Sequence, residues 1–329
     1  MIAAVLMQPE AQAILGTVGK APDNMNDNVG LPLAVLGYAA YPRVATLLQS
    51  IRETYRLAWR TLNQVTATSY PKVLVLEYAA SWNGDIPRLA KLAPPAVAVV
   101  TAIGPGHLER FETVERVAAE KSALVHGVLA SGLVVLGADN AHAARLACET
   151  PAHVVKVPGR GRELSAGIAS VVGRHFGVAD NVISRAIATF EGPLGRLQLS
   201  RLGSLTLIDD SFNANPLSME LALDVLAETS SSGQRRLAIL GTMEELGKEG
   251  IRYHSEIGVY ARARAEVIIG VGALAQYYKP DRWFATTEEC AAHLPYLVAF
   301  EDCVLVKGSH SNHLDRIVTL LKQFASRDS

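Results

Sequence analysis

The sequence predicts an α/β protein of two domains built on parallel sheets, and three observations carry that prediction. Short apolar runs recur at 73–77, 96–101, 133–136, 153–157, 205–208, 237–240, 267–270 and 303–306, with stretches of helical period between them. Strands joined through helices run parallel and are buried on both faces, which is why such strands read as continuous apolar runs. The 329 residues exceed what one compact core serves. Glu191-Gly192-Pro193-Leu194-Gly195 is the clearest linker, so the domains are set at 1–194 and 195–329.

Composition narrows the function classes. Hydrophobic residues make up 49% of the chain and charged ones 19%, ample material for buried sheets. With 31 basic and 32 acidic residues the net charge is -1, which argues against nucleic acid as a partner. Cys148, Cys290 and Cys303 are scattered without disulfide or metal-ligand spacing, which suits a reducing cytoplasm. The N-terminus lacks a signal-peptide pattern and no apolar run reaches membrane-spanning length, so a soluble cytoplasmic protein without membrane insertion is expected.

Taken in order, Ile2 to Met7 reads as the last turns of a helix and Ala13 to Thr17 as a short strand. Gly16-Thr17-Val18-Gly19-Lys20 invites a phosphate-loop reading, but Ala21 stands where a hydroxyl should reach Mg²⁺. Pro22-Asp23-Asn24 then begins a loop where a helix should start. Asn24 to Pro32 is an amide-rich loop entering a helix, either bonding its own backbone or aiming amides at a polar ligand. Residues 42–65 carry a helical pattern with Arg52, Arg56 and Arg60 on one solvated face.

The strand Val73 to Glu77 ends in a carboxylate, Asn83-Gly84-Asp85 turns the chain into a helix over 86–92, and Pro94-Pro95 closes it. A second strand, Ala96 to Thr101, leads to Gly104-Pro105-Gly106-His107 and a helix over 114–129 carrying Glu120 and Lys121. Parallel strands ending near Glu77 and His107 would bring an acid and an imidazole to the sheet edge where open α/β proteins place ligands. Such a pair can hold a divalent cation, with Lys121 adding a positive or modified group. The alternative is a helix-capping Glu, a surface His and a solvated Lys. In the second half, the strand at 205–208 runs into Asp209-Asp210-Ser211-Phe212-Asn213-Ala214-Asn215-Pro216, and the last strand runs into Lys307-Gly308-Ser309. An acid after a strand accepts from ribose hydroxyls or caps the next helix.

In this order the segments Asn24–Pro32, Leu76-Glu77, Asn83–Ile86, Gly106–Glu109, Glu120-Lys121, Gly195-Arg196, Asp209–Met219, Gly241–Gly247 and Lys307–Ser309 resemble the Mur ligases. The resemblance covers nearly the whole chain. Asp-Asp-Ser-Phe-Asn-Ala-Asn-Pro is its most specific piece, similar to the form in members that add D-alanyl-D-alanine (D-Ala-D-Ala) to UDP-muramoyl-tripeptide. It disfavours a folylpolyglutamate-type ligase. The resemblance implies a parallel-sheet central domain and a Rossmann-like C-terminal domain. The implied activity is ATP-dependent carboxylate–amine ligation through an acyl phosphate, a step of peptidoglycan precursor synthesis.

The resemblance also assigns residues. Glu77 and His107 match Mg²⁺ ligands, and Lys121 matches a lysine that several members carbamylate to hold a second Mg²⁺, so His107 and Lys121 are the implied catalytic residues. Arg196, Asp210 and Asn213 match positions around the ATP ribose and base. Asn24, Asn26 and Asn28 match the loop facing the UDP-sugar peptide, and Lys307 with Ser309 lies where the C-terminal domain closes on substrate. Met1 aligns just after the phosphate loop of the family. A central domain without its phosphate-loop strand, and without the UDP-binding domain before it, is therefore expected, together with loss of turnover by this chain; a ligand-binding or scaffold remnant is the alternative. Departures from the family pattern stand at Gly159–Arg162, Ser122-Ala123, Thr242 in place of an Asp, and His310 in place of an Arg.

Overall fold

The structure is a computed structural model that describes residues 1–21, 25–37, 59 and 70–326. The chain divides into two compact units, Met1–Ile103 with Glu115–Phe190, and Gly104–Val114 with Glu191–Ser329. The passage between units falls at the Gly-Pro linker, while 104–114, expected inside the first domain, groups with the second unit.

The first unit opens with α1 (Ile2–Leu6) and α2 (Pro9–Leu15), then β1 (Val18–Lys20) and α3 (Gly30–Val35). The strand expected at 13–17 is a correction: those residues close a helix instead. Pro9 sits at its first turn with Glu10 beside it, and Gly16 ends it at φ 75°, its N–H donating to Gln12 O at 2.8 Å. An apolar run as short as Ala13-Ile14-Leu15 does not separate helix from strand by periodicity.

β2 (Val73–Val75) pairs in parallel with β1. After α4 (Asp85–Leu92), β3 (Val97–Val100), β4 (Leu133–Gly137) and β5 (His153–Val157) form a parallel sheet in that order. α6 (Val114–His126), α7 (Ala143–Cys148), α8 (Gly161–His175) and α9 (Asp180–Ala188) complete the unit. Its core gathers Val5 and Leu6 of α1, Leu133 and Val135 of β4, Ile168 and Val172 of α8, and Val182 and Ile183 of α9. Gly173 lets α8 lie close to its neighbours, since a Cβ there would come 3.0 Å from Val5 Cγ1 and 2.9 Å from Ile183 Cδ1. The helical pattern at 42–65, with its three arginines, lies outside the described residues except for Trp59.

In the second unit, α5 (Leu108–Phe111) precedes β6 (Gln198–Leu202), β7 (Leu205–Asp210), β8 (Arg236–Gly241), β9 (Val267–Val271), β10 (Arg282–Phe284) and β11 (Cys303–Lys307). They form one sheet in the order β10-β9-β8-β11-β7-β6, parallel except for the β6–β7 hairpin. The helices are α10 (Pro216–Thr229), α11 (Gly250–Arg262), α12 (Thr287–Leu297) and α13 (Asp315–Ala325). β7 and β11 are buried at every residue, as strands covered on both faces must be. β6 and β10, which the apolar runs did not reveal, are the edges and are largely exposed or half-buried. β11 sits between β7 and β8, so the strand order reverses there, and the C-terminal ends of these three strands form the crevice position of an open α/β sheet. Among the described residues no helix is long and apolar enough to cross a membrane.

Candidate functional site

In the first unit the carboxylate of Glu77 stands two residues past the end of β2, exposed and without a hydrogen-bond or ion-pair partner among the described residues. It lines a cavity of about 710 Å³ together with residues of β2 and β3, Leu6 of α1, and Lys121 and Leu124 of α6. Lys121 is half-buried, its ammonium donates to Ala102 O at 3.1 Å, and burial lowers its pKa. An amine pushed toward the neutral form is the chemistry a carbamate needs. The neighbouring Glu120 serves the backbone instead. Its buried carboxylate accepts the N–H groups of Gly84 and Ile86 at 2.8 and 2.7 Å, fastening the start of α4.

The amide loop is tied to that same turn. Asn28 Nδ2 donates to Asp85 Oδ1, whose other oxygen accepts from Ser81 and Trp82 N–H, and the backbone O of Asn26 accepts from Ala79 N–H at 2.7 Å. Asp27 Oδ1 accepts from Val29 and Gly30 N–H, opening α3. The amide of Asn28 thus bonds within the protein, and Asn24 lies outside the described residues.

In the second unit Asp210 and Lys307 are ladder partners on β7 and β11, 7% and 1% exposed. Lys307 Nζ donates to Asp210 Oδ2 at 2.5 Å and to Asn213 O at 2.8 Å, and Asp210 Oδ1 accepts from Leu197 N–H at 3.1 Å. Burial raises the Asp210 carboxyl pKa and lowers that of Lys307, while their mutual attraction opposes both shifts. Asp210 and Lys307 therefore form a buried ion pair inside the unit. Asn213 is exposed, its Oδ1 accepting from Ala214 N–H. The exposed Arg196 lies over the ring of Phe212 with its guanidinium carbon 4.4 Å from the centroid, and His310 flanks the same ring at 5.7 Å. A cation stacked on an aromatic face beside a loop at the strand ends is a surface on which a planar base can lie.

The loop after β8 ties the second unit's functional positions together. Ser309 Oγ accepts from Glu244 N–H at 3.0 Å, and Ser309 N–H donates to Thr242 O. His254 is fully buried: its Nε2 accepts from Met243 N–H at 3.0 Å, its Nδ1–H donates to Gly250 O at 2.7 Å, and burial lowers its pKa. Glu245 reaches the Nδ1 of His107, which caps α5 at φ 56°. Sequence reasoning singled out the Gly241–Gly247 stretch without giving Glu245, Phe212 or His254 a role. Thr242 Oγ1 and Asn312 Oδ1 are buried without a hydrogen-bond partner among the described residues. A Cβ on Gly272 would come 2.8 Å from that threonine hydroxyl and one on Gly241 2.2 Å from the asparagine oxygen, so glycines make room for both side chains.

Glu77 and His107 belong to different units. No three His, Cys, Asp or Glu side chains among the described residues gather closely enough to hold a metal ion. Gly16–Lys20 does not form a phosphate loop: Val18–Lys20 are committed to the β1–β2 ladder.

An α/β chain of two units with parallel sheets, charged groups at strand ends and a buried acid–lysine pair is the class of protein that fold and site define. The family model for the Mur ligase middle domain matches residues 1–175, and that for the Mur ligase glutamate ligase domain matches residues 195–310. The chain belongs to the Mur ligase family. It is similar to the UDP-N-acetylmuramoyl-tripeptide–D-alanyl-D-alanine ligases of Mycobacterium leprae (27% identical, covering 94% of this chain and 72% of that one) and Mycobacterium bovis (30%, covering 79% and 58%). The chain thus spans between 58% and 72% of the length of these relatives. Its fold is similar to that of MurF from Acinetobacter baumannii, with a TM-score of 0.77 at 19% identity, covering 99% of this chain and 74% of that one. MurF ligase from Thermotoga maritima, solved in complex with ADP, has the same TM-score at 21% identity, covering 100% and 78%.

Proposed function

We propose that the chain is the ATP-dependent ligase portion of an enzyme that joins D-Ala-D-Ala to UDP-N-acetylmuramoyl-tripeptide in peptidoglycan precursor synthesis. The observation that carries the proposal is the pairing of the Asp209–Pro216 loop with Lys307 at the strand-order reversal of the second unit's sheet, in a chain whose full-length relatives carry that name. ATP binds against Arg196 and Asn213 at that edge, Arg196 stacking on Phe212 and countering the negative charge around Asp210. Glu77 of the first unit and His107 of the second would each offer a ligand to Mg²⁺, which would supply charge neutralisation for phosphoryl transfer. Lys121, its ammonium depressed by burial, carries the cation-holding carbamate. The Asn26 and Asn28 loop, with Asn24, faces the UDP-sugar peptide, and Ser309 steers the closing loop through Glu244 N–H. The reaction belongs in the cytoplasm, where the nucleotide-linked precursor is made.

The test is ADP release with ATP, Mg²⁺, UDP-muramoyl-tripeptide and D-Ala-D-Ala. It is run on the 329-residue chain and on a fusion that places the N-terminal segment of the M. leprae relative before Met1. The fusion is expected to turn over only when D-Ala-D-Ala is present. A fusion that folds and uses glutamate with a folate instead overturns the proposal. A fusion that folds and binds nucleotide without turnover marks a binding remnant.

A further inference from the structure

We propose that Glu245 is the positioning residue for His107, fixing the imidazole with its proton on Nδ1 and its Nε2 lone pair turned outward to take a divalent cation; the cation clause rests on the proposed function. Glu245 Oε2 lies against His107 Nδ1 in a short contact. A carboxylate oxygen accepts and does not donate, so Nδ1 must carry the hydrogen, and in the neutral ring Nε2 is then the acceptor. Among the described residues Nε2 has no partner, and the side chain is 43% exposed, so the lone pair is open to solvent or to a ligand. This is the carboxylate–histidine arrangement that orients metal-bound imidazoles.

The pair is built into the backbone of the second unit rather than being two surface side chains in chance contact. His107 and Glu245 both hold positive φ, 56° and 60°, a region that residues other than glycine rarely enter and that marks functional positions. The two segments are stitched together: Glu109 N–H donates to Glu245 O at 3.0 Å, and a Cβ on Gly247 would press on Glu109 Cα at 3.1 Å. Arg110 comes within 3.7 Å of the other Glu245 oxygen, leaving Oε2 to the imidazole. The loop that carries Glu245 is held behind by His254 on Met243 N–H and by Ser309 on Glu244 N–H. A half-exposed hydrogen-bonded pair contributes little to stability, so a purely structural reason for this arrangement is weak.

The experiment uses the 329-residue chain labelled with ¹⁵N-histidine, the His107 signals being identified by their loss in His107→Gln. Long-range ¹H–¹⁵N spectra of the ring read the tautomer. The wild type is expected to show Nδ1–H at His107, Glu245→Asp to keep it in part, and Glu245→Ala to move to the Nε2–H form that imidazoles favour in water. Mn²⁺ alone, a paramagnetic probe, is then titrated: Glu245→Ala should weaken its broadening of the His107 ring by about 10–100-fold. Should Glu245→Ala unfold, Glu245→Leu, which keeps side-chain bulk and offers no acceptor, carries the same comparison. An Nε2–H wild type overturns the proposal, and so does a tautomer unmoved by the substitutions, or Mn²⁺ broadening unmoved while the tautomer changes. If the tautomer shifts as expected but Mn²⁺ leaves the wild-type ring untouched, Glu245 still positions His107 and it is the metal role of His107 that falls.

Discussion

Replacing Lys307 with methionine removes an ammonium from a place where water cannot follow. Lys307 is 1% exposed and Asp210 7%, so the substitution leaves Asp210 Oδ2 and Asn213 O without the donor that now sits 2.5 and 2.8 Å away. Methionine nearly preserves the volume, so the loss is electrostatic. Removing one partner of a buried pair typically costs about 3–5 kcal/mol, because the remaining charge stays buried. Exchanging both partners, Asp210→Asn with Lys307→Met, should recover most of that loss, the amide oxygen still accepting from Leu197 N–H. The deficit should also depend on pH. Burial already raises the Asp210 pKa above 3.8, and loss of the lysine raises it further. A raised folded-state pKa means the folded protein holds the proton more tightly than the unfolded chain. The deficit is therefore largest well above that pKa and shrinks as pH falls through it toward 3.8. Native-state hydrogen exchange on peptides covering β7 and β11 reads this locally, with β4 of the other unit as an internal control. A Lys307→Met protein whose β7 and β11 amides lose less than about 1 kcal/mol of protection at neutral pH would refute the reasoning, since that is the scale of an exposed pair.

Three further outcomes follow from the same structure. His254→Phe leaves Met243 N–H buried without its acceptor and should cost about 1–3 kcal/mol in urea unfolding of the second unit. Because burial lowers the His254 pKa below 6.5, its unfolded form binds the extra proton. Wild-type stability should therefore fall as pH drops below 6.5, with a shallower slope in His254→Phe. Glu120→Ala removes the acceptor of two N–H groups at the start of α4 and should cost about 2–4 kcal/mol by thermal denaturation; a change within about 0.5 kcal/mol would mean water replaces it freely. Among the described residues β2 pairs only with β1 and β3 only with β4, so among those residues each shows one unpaired edge. Exposed edges promote self-association, so sedimentation should show mass rising with concentration, and a clean monomer at high concentration would count against it.

Much of the fold was legible because buried parallel strands leave continuous apolar runs. Val97–Val100, Leu133–Gly137 and Cys303–Lys307 lie where those runs fall, to within a residue at most ends. The edge strands β6 and β10 were not, because a strand covered on one side mixes exposed and half-buried residues and resembles a loop. Ala13-Ile14-Leu15 misled for a related reason: Pro9 and Gly16, lying outside the run, decide that it is helical.

Which residue types stand after which strands, and so the family, is written in the local pattern. Glu77, His107, Asp210 and Lys307 follow apolar runs in an order that short-range pattern is enough to reveal. What those groups touch is set by the packing of strands and loops far apart in the chain. Parallel register sets Lys307 opposite Asp210 across 97 residues of chain and makes them a buried pair. It also takes the 104–114 segment out of its sequence neighbourhood and lays His107 against Glu245, 138 residues away. Pairings at such separations arise from how strands and loops pack, and local sequence pattern reports only the few residues on either side of each position.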